Sequence, residues 1–265
     1  MAKRRKKVSG DPFAANLHSG VREIYRDDTL WVLDKPAGVL THPNPPGKRA
    51  SNVLLRTVYD YERELYRVTV EGEKQRQLHL VHRLDQETSG LIICTFSPSG
   101  AADLRKAFYE GDVHKEYRAL VLAPPRARRG EWRDCLSKSS GRGDNAQVRV
   151  TNGRPNAVTT FQVMEKFDCA GLALLSLRPE TGRTHQLRVQ AAAHGHPIAG
   201  DTRYGDFDAN RRLAESTGLK RMFLHAFALR LRHPQSGHLL RFEAPLTSRL
   251  AEPLERVRQV EAGEC

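Results

Sequence analysis

The sequence predicts an α+β fold with a mixed, mainly antiparallel sheet flanked by helices. Short apolar segments come in neighbouring pairs along the chain, helical segments are interspersed irregularly, and no internal repeat is found. With 265 residues the chain can bury a substantial core. Residues 1–20 lack periodicity and are expected to form a basic, flexible N-terminal tail, whereas residues 21–265 are expected to form one domain.

The first 66 residues predict two strands, a loop and a helix. Val21 to Leu33 holds two short apolar segments joined at Asp27-Asp28, which is typical of paired strands. Prolines and a glycine between His42 and Arg49 predict a loop. Ser51 is expected to cap a helix that runs to about Tyr66, because apolar residues recur there at helical spacing.

The rest of the chain predicts six strands, three helices and two loops. Helices are expected from Ser97 or Ser99 to Gly111, from Thr184 to Ala193 and from Thr247 to Val260. The glycine-rich segments Ser137–Asp144 and Gly195–Gly205 predict loops, and the first of them could face phosphates. The predicted strands are Leu91–Thr95, Tyr117–Leu122, Thr159–Phe167, Leu172–Leu177, and the hairpin pair Phe223–Leu231 and Leu239–Phe242.

The charge balance indicates a polyanionic partner. Lys and Arg number 43 against 31 Asp and Glu, which gives a net charge of +12. Five of these charges come from Lys3 to Lys7, and the rest of the chain is still basic. A basic body favours nucleic acid as the partner, and the tail is expected to add salt-dependent phosphate affinity. A basic protein without such a partner is the alternative.

The sequence lacks the signals that are typical of membrane, secreted, zinc-binding and nucleotide-binding proteins. No apolar run approaches the roughly 20 residues that span a bilayer, and the N-terminus does not resemble a secretory signal. The four cysteines form no Cys-x-x-Cys pair, which favours a reducing, cytoplasmic setting. The pairs His79/His82 and His194/His196 lack further ligands at zinc-like spacing. Neither a phosphate-binding loop motif nor a dinucleotide-binding glycine motif is present.

Three polar residues are candidates for chemistry. Asp85 lies in the polar run His82 to Gly90 between two apolar segments, where its carboxylate could act as nucleophile or base, or could cap a turn. Arg183 lies just before a predicted helix, where it could pair with a carboxylate or be an ordinary surface arginine. Tyr117 lies in a predicted strand, where tyrosines more often belong to the core.

Six segments in one order resemble the RluA-type RNA pseudouridine synthases, over roughly Val21 to Pro245. The resemblance implies the pseudouridine synthase catalytic fold with a central cleft, and it implies neither a metal nor an organic cofactor. The segments are Lys35–Gly38, His82–Gly90, Lys115–Ala119, Pro179–Val189, His196–Asp201 and Leu224–Ala226.

The resemblance also implies roles for individual residues. Asp85 would be the catalytic aspartate, and Arg183 would pair with it and orient it. Tyr117 would stack on the uracil and is the candidate base. Arg83 would fill the gap that a flipped nucleotide leaves in the RNA stack. The residues expected to bind RNA are His82, Arg83, Lys115 and Arg188.

The implied function is the isomerisation of specific uridines to pseudouridine by an aspartate-dependent mechanism with base flipping. The segments Gly200–Asp206 and Gly218–Ala226 are most similar to enzymes of the large ribosomal subunit, so 23S ribosomal RNA or an assembly intermediate is the expected partner. Transfer RNA is one alternative. A non-catalytic ribosome-assembly factor is another, although Asp85, Tyr117 and Arg183 together argue against it. A monomer is expected, since no coiled-coil pattern is found.

Overall fold

A computed structural model describes residues 12–44, 52–69, 75–138 and 147–263. These residues form one 13-stranded sheet and five helices. The helices are α1 (Pro12–Asn16), α2 (Pro98–Glu110), α3 (Gln186–Ala193), α4 (Phe207–Thr217) and α5 (Ser248–Gly263). The strands are β1 (Arg22–Arg26), β2 (Leu30–Lys35), β3 (Val58–Asp60), β4 (Leu65–Thr69), β5 (Gln75–Leu80), β6 (Ser89–Thr95), β7 (His114–Leu122), β8 (Arg129–Lys138), β9 (Val148–Thr151), β10 (Ala157–Phe167), β11 (Leu172–Pro179), β12 (Leu224–Arg232) and β13 (Leu239–Glu243).

The sheet runs in the order β3-β4-β5-β6-β12-β7-β11-β10-β8-β9. In addition, β2 pairs with β6, β1 with β2, and β13 with β12. Among these described strands β6 and β12 are parallel and the other paired strands are antiparallel. The α+β class with a mixed, mainly antiparallel sheet is thus confirmed.

The parallel pairing at the centre of the sheet depends on Gly90. This residue lies opposite Ala226 in the register of β6 and β12 and has a φ of 113°. A Cβ atom at position 90 would lie 2.3 Å from the carbonyl oxygen of Ala226. Glycine therefore allows both the backbone conformation and the close approach of the two strands.

Many of the predicted elements are confirmed. Asp27 joins β1 to β2 by accepting hydrogen bonds from the backbone amides of Thr29 and Leu30, at 2.7 and 2.6 Å. Ser97 caps α2 by accepting from the Gly100 amide at 3.1 Å, and Gly111 ends the helix in a left-handed conformation. The predicted strand pairs correspond to β10–β11 and β12–β13, and the later predicted helices to α3 and α5.

The helix predicted from Ser51 to Tyr66 is wrong. Ser51 lies outside the described residues, and the segment after it contains β3 and the start of β4. Asp60 accepts hydrogen bonds from the amides of Glu62 and Arg63, and Glu64 has a φ of 52°. This turn reverses the chain, so that Leu65 and the following residues pair with β3 on one edge and with β5 on the other, instead of continuing a helix.

The expected flexible tail requires a correction at residues 12–20. Pro12–Asn16 forms α1, and its Phe13 is fully buried against Trp31 and Phe96, with ring centroids 6.5 and 5.6 Å away. Residues 1–11 lie outside the described part of the chain, as do residues 45–49 and 139–144 of the two predicted polar loops. Ser137, expected in a loop, belongs to the end of β8.

Buried side chains form clusters on both sides of a cleft. One cluster contains Trp31 of β2 and Ile92 of β6, and another contains Ala119 of β7 and Leu175 of β11. The cleft has a volume of about 670 Å³ and is lined by residues from both the 40–109 and the 115–224 parts of the chain. None of the described helices is both long and apolar enough to cross a membrane.

Candidate active site

The segment that carries Asp85 is fastened to the segment 35–41 on both sides of this residue. The Thr41 hydroxyl donates to the carbonyl oxygen of Leu84 at 3.0 Å and accepts from its amide at 3.2 Å. On the other side, the amide of Gly38 donates to the carbonyl oxygen of Gln86 at 2.7 Å. The backbone of Asp85 is therefore fixed, while its carboxylate lines the cleft and remains 27% exposed.

Lys35 adds a buried cation beneath this loop. Its fully buried ammonium group donates to the carbonyl oxygens of Val39 (2.7 Å), Pro36 (3.1 Å) and Gln86 (3.3 Å). Burial, together with the charge of Arg221, lowers the pKa of Lys35 to about 7. The three carbonyl contacts tie the Lys35-Pro36 turn to the residue that follows Asp85.

Arg188 is the arginine beside Asp85. Its Nη1 lies 3.4 Å from Oδ2 of Asp85 and 3.5 Å from Oε2 of Glu87. The guanidinium is nearly buried and also pairs with both carboxylate oxygens of Asp201, at 2.7 Å through Nε and 2.9 Å through Nη2. This bidentate pair fixes the plane of the guanidinium and points its third nitrogen at Asp85.

Asp201 is in turn held by the backbone that follows it. Its Oδ1 accepts from the amides of Arg203 (2.8 Å) and Tyr204 (3.1 Å). Burial raises the pKa of Asp201, but the hydrogen bonds from Arg188 and these amides outweigh that effect and lower the pKa overall. No role was expected for Asp201 from the sequence, although this residue ends the segment His196–Asp201 that carries the family resemblance.

The expected pairing of Arg183 with Asp85 is wrong. Arg183 is exposed, and its Nε donates to the carbonyl oxygen of Asn156 at 3.0 Å. Its backbone amide donates to the side chain of Gln186, which places Arg183 just ahead of α3. Arg188 lies inside that helix, where residues 186–191 are all buried, and it takes the position expected for Arg183. The expected contact of Arg188 with RNA stays a prediction.

Tyr117 lines the cleft in β7, opposite Leu177 of β11 and Ala226 of β12. Its ring packs on the apolar cluster of the second half of the molecule and is partly buried. Burial and the negative charge of Asp85 raise the pKa of the Tyr117 hydroxyl. The phenol is therefore protonated near neutral pH.

Two of the residues expected to bind RNA make contacts within the protein. Nε2 of His82 accepts from the amide of Ile93 at 2.9 Å, and its ring stacks on Phe108 with centroids 4.6 Å apart. Burial and the charge of Lys115 lower the pKa of His82 to about 3. Lys115 is nearly buried, donates to the carbonyl oxygen of Thr181 at 3.2 Å, and has its pKa lowered to about 8 by burial. RNA contact by His82 gains no support, and contact by Lys115 stays a prediction.

Arg83 is exposed on the cleft wall next to an aromatic group. Its Nη1 donates to Nε2 of His42 at 3.0 Å, and the imidazole ring stacks on Tyr59 with an interplanar angle of 12°. All three residues line the cleft. The position of Arg83 is compatible with contact to a bound polymer.

His185 is a cleft residue that the sequence analysis did not identify. It lines the cleft at the start of α3 with a φ of 53°, a conformation that costs energy for a residue other than glycine. Its Nδ1 lies 2.8 Å from the hydroxyl of Tyr204, which also accepts from the amide of Val148 at 3.2 Å. Burial lowers the pKa of His185. His185 lies in the segment Pro179–Val189 that carries the family resemblance, but no role was expected for it from the sequence.

Within the described ranges, no three His, Cys, Asp or Glu side chains are grouped so that they could hold a metal ion. The cleft instead groups one partly exposed carboxylate, a buried arginine and an aromatic ring. Such a set can stabilise or attack an electron-poor carbon and can hold a planar base.

Comparison with known proteins identifies related chains. The family model described as RNA pseudouridylate synthase matches residues 29–193. The ribosomal large subunit pseudouridine synthase C of Escherichia coli (strain K12) is 37% identical over 243 residues, which cover 89% of this chain and 69% of that protein. The protein of the same name from Haemophilus influenzae is 35% identical and covers 89% and 68%, respectively.

Solved structures agree with this relationship. The human RNA pseudouridylate synthase domain containing 4 superposes with a TM-score of 0.66 at 25% identity, covering 89% of this chain and 92% of that one. The human RNA pseudouridylate synthase domain containing 1 has a TM-score of 0.63 at 23% identity, covering 92% and 95%, and supports the fold. With the family model matching more than half of its length, this chain belongs to the RNA pseudouridylate synthase family and is an RNA pseudouridine synthase.

Proposed function

We propose that this enzyme converts specific uridines of large-subunit ribosomal RNA to pseudouridine, with Asp85 as the reacting carboxylate. The observation that carries the proposal is the partly exposed Asp85 side chain, held in the cleft beside the buried Arg188. The name of the relatives, ribosomal large subunit pseudouridine synthase C, supports this class of RNA. Transfer RNA is the alternative substrate.

The reaction breaks the bond between N1 of uracil and C1′ of the ribose and joins C1′ to carbon 5. Carbon 5 then loses its proton, and N1 gains one. Asp85 can add to C1′, or it can remove the 2′ proton to give a glycal. Both routes need a carboxylate that is held in place. The hydrogen bonds from the 35–41 segment fix the backbone on both sides of Asp85, and Arg188 contacts the carboxylate itself.

Arg188 is proposed to position Asp85 and to balance its charge during the reaction. Because Asp201 holds the guanidinium through two hydrogen bonds, the arginine needs no rearrangement when RNA binds. Such preorganised charge is an effective way to stabilise a transition state.

Tyr117 is proposed to hold the detached uracil by stacking while the base rotates. A catalytic base would need an ionised phenol, and the raised pKa of Tyr117 disfavours that form. Stacking requires only the aromatic ring. Tyr117 lines the cleft, and it lies close enough to Asp85 for the carboxylate charge to raise the pKa of its hydroxyl.

The RNA-binding surface is proposed to include Arg83, Arg183 and Lys115, which line the cleft. Arg83 would fill the place of the flipped uridine, and the exposed Arg183 would contact the phosphate backbone. The net charge of +12 favours binding that weakens as salt rises. We propose that the enzyme acts on 23S ribosomal RNA or an assembly intermediate, as a monomer in the cytoplasm. Light scattering would test the oligomeric state, and cell fractionation would test the location.

The proposal is tested by tritium release from RNA labelled at carbon 5 of uridine. Ribosomal RNA of the large subunit, a large-subunit assembly particle and bulk transfer RNA are compared, each with the wild type, Asp85→Asn and Glu87→Gln. Glu87 is the matched control, since its carboxylate also lies beside Arg188, at 3.5 Å, but does not line the cleft. We expect release from ribosomal RNA or the particle that is lost in Asp85→Asn and largely kept in Glu87→Gln.

Each other outcome has a definite meaning. Release from transfer RNA alone would replace the proposed substrate and keep the chemistry. Equal release by the Asp85→Asn variant would remove Asp85 from its role. Tight RNA binding without release from any of the three RNAs would favour a non-catalytic assembly factor.

A further inference from the structure

Tyr109 is an exposed aromatic residue at the edge of the cleft. It lies in the last turn of α2, lines the cleft, and is 91% exposed, more than any other large apolar side chain in the described part of the chain. A side chain this exposed contributes little to folding. Its neighbour Phe108 stacks on His82, so α2 brings Tyr109 close to the His82-Arg83 segment.

A second aromatic surface lines the same cleft. The ring of His42 stacks on Tyr59, with centroids 5.3 Å apart. Tyr59 packs edge-on against Tyr61 and Tyr66, so this group is rigid. His42 also accepts the hydrogen bond from Arg83, which places the planar guanidinium beside the stack.

These surfaces differ from a groove that binds the phosphate backbone. They consist of Tyr109, the His42–Tyr59 stack and the guanidinium of Arg83, and the carboxylate of Glu64 also lines the cleft. Proteins use such surfaces to bind unpaired nucleotides, because every base has a face that stacks on an aromatic ring. In a continuous duplex these faces are occupied by neighbouring base pairs.

We propose that Tyr109 and the His42–Tyr59 stack bind the bases of unpaired nucleotides next to the target uridine. The inference rests on the proposed function and narrows its substrate to uridines in loops or other single-stranded segments. Arg83 precedes the reacting Asp85 by two residues and is hydrogen-bonded to His42 of the second surface. The bases beside the flipped uridine then gain stacking partners in the protein, which offsets the stacking lost on flipping.

The test measures RNA binding apart from turnover. All variants are made in the Asp85→Asn background, and binding is followed by fluorescence anisotropy. The probes are a labelled hairpin with the uridine in an unpaired loop and a duplex in which the same strand is fully paired. Tyr109→Ala and Tyr109→Phe are compared with Phe207→Ala, which removes an aromatic ring that is 74% exposed and outside the cleft.

Tyr109→Ala is expected to weaken loop binding by about 5- to 150-fold, the loss of one stacked base. Tyr109→Phe and Phe207→Ala should bind like the parent. The dependence of affinity on salt should not change, since stacking releases no counterions. For the duplex, Tyr109→Ala should have no effect.

The His42 surface has its own pair of variants. His42→Ala should weaken loop binding, whereas His42→Phe keeps an aromatic face and should retain it. Equal losses in both variants would assign His42 to holding Arg83 and overturn its stacking role.

The proposal is overturned if Tyr109→Ala binds the loop RNA as tightly as Phe207→Ala does, or if its loss appears as a smaller salt dependence, which indicates a phosphate contact. Its failure is distinguishable from failure of the proposed function. Wild-type tritium release would persist in the first case and would be absent in the second.

Discussion

Arg188 contacts Asp85 with one nitrogen while its other two nitrogens hold Asp201. The distance from Nη1 to Oδ2 of Asp85 is 3.4 Å, whereas the two bonds to Asp201 measure 2.7 and 2.9 Å. The first contact is long for a hydrogen bond and acts mainly through charge. The arginine is therefore fixed by Asp201 and faces Asp85, which leaves the reacting carboxylate accessible from the cleft.

Replacing Arg188 by lysine is expected to reduce the single-turnover rate at saturating RNA by at least about 100-fold, as preorganised charge is lost. A lysine cannot bond both oxygens of Asp201 and reach Asp85 together. The variant should also be less stable by about 1–3 kcal/mol, because the buried Asp201 loses at least one of its two hydrogen bonds from the guanidinium. Rapid-quench kinetics and chemical denaturation measure the two effects.

Arg183→Lys serves as the matched control for this experiment. Since Arg183 contacts a backbone carbonyl and is exposed, its replacement should alter RNA affinity and leave the single-turnover rate at saturating RNA nearly unchanged. If Arg183→Lys instead lost the rate and Arg188→Lys kept it, the assignment of the orienting arginine would be reversed.

Replacing Lys35 by methionine is expected to lower the free energy of unfolding by about 1–3 kcal/mol, because buried carbonyl oxygens lose a donor. The turnover rate should fall as well, since one of these oxygens belongs to Gln86, next to Asp85. Urea denaturation and single-turnover kinetics measure both. The exposed Lys106→Met variant should change stability by no more than about 0.5 kcal/mol, and an equal loss in both variants would contradict the prediction.

The stability of the protein is expected to fall in acid partly because of His82. Its pKa is about 3 in the folded protein and 6.5 as a model value. Between these pH values the unfolded chain binds one more proton at this residue than the folded one does. The contribution of His82 to the free energy of unfolding is therefore constant above about pH 6.5. It is lost as the pH falls towards 3, by at most about 1.4 kcal/mol per pH unit.

His82→Gln tests this origin of acid sensitivity. The glutamine amide does not titrate, and its oxygen can accept the hydrogen bond from Ile93 that His82 accepts in the wild type. Denaturation measured from pH 7 to 4 should show a shallower decline in the variant. An unchanged slope would place the titrating groups elsewhere.

Phe13→Ala is expected to destabilise the protein by about 3–5 kcal/mol, because the fully buried ring packs against both Trp31 and Phe96. Deletion of residues 1–11 should weaken RNA binding at low salt, through loss of the five consecutive bases Lys3 to Lys7. Chemical denaturation measures the effect of Phe13→Ala, and binding at two salt concentrations measures the effect of the deletion. A loss of affinity that is equally large at high salt would contradict the electrostatic role of these bases.

The sequence by itself determined the elements whose signals are local. The β1–β2 pair follows from two apolar segments joined by an aspartate that binds the next amides, and α2 from a serine cap and a terminal glycine. The polar run around Asp85 was also recognisable, since it interrupts two apolar segments that become β5 and β6. These features depend on residues within a few positions of one another.

Only the tertiary structure decided which arginine meets Asp85 and where the chain reverses near residue 60. Arg183 and Arg188 have the same chemistry and lie within one short segment, so their roles depend on where α3 begins and which residues it buries. The fold places Asp201 beside Arg188, and this pairing holds the guanidinium of Arg188 facing Asp85. Likewise, apolar residues between 53 and 66 fit a helix in isolation, but pairing of Leu65–Thr69 with β5 stabilises strands instead. In both cases the deciding partner is distant along the chain or belongs to another element, so local pattern could not reveal it.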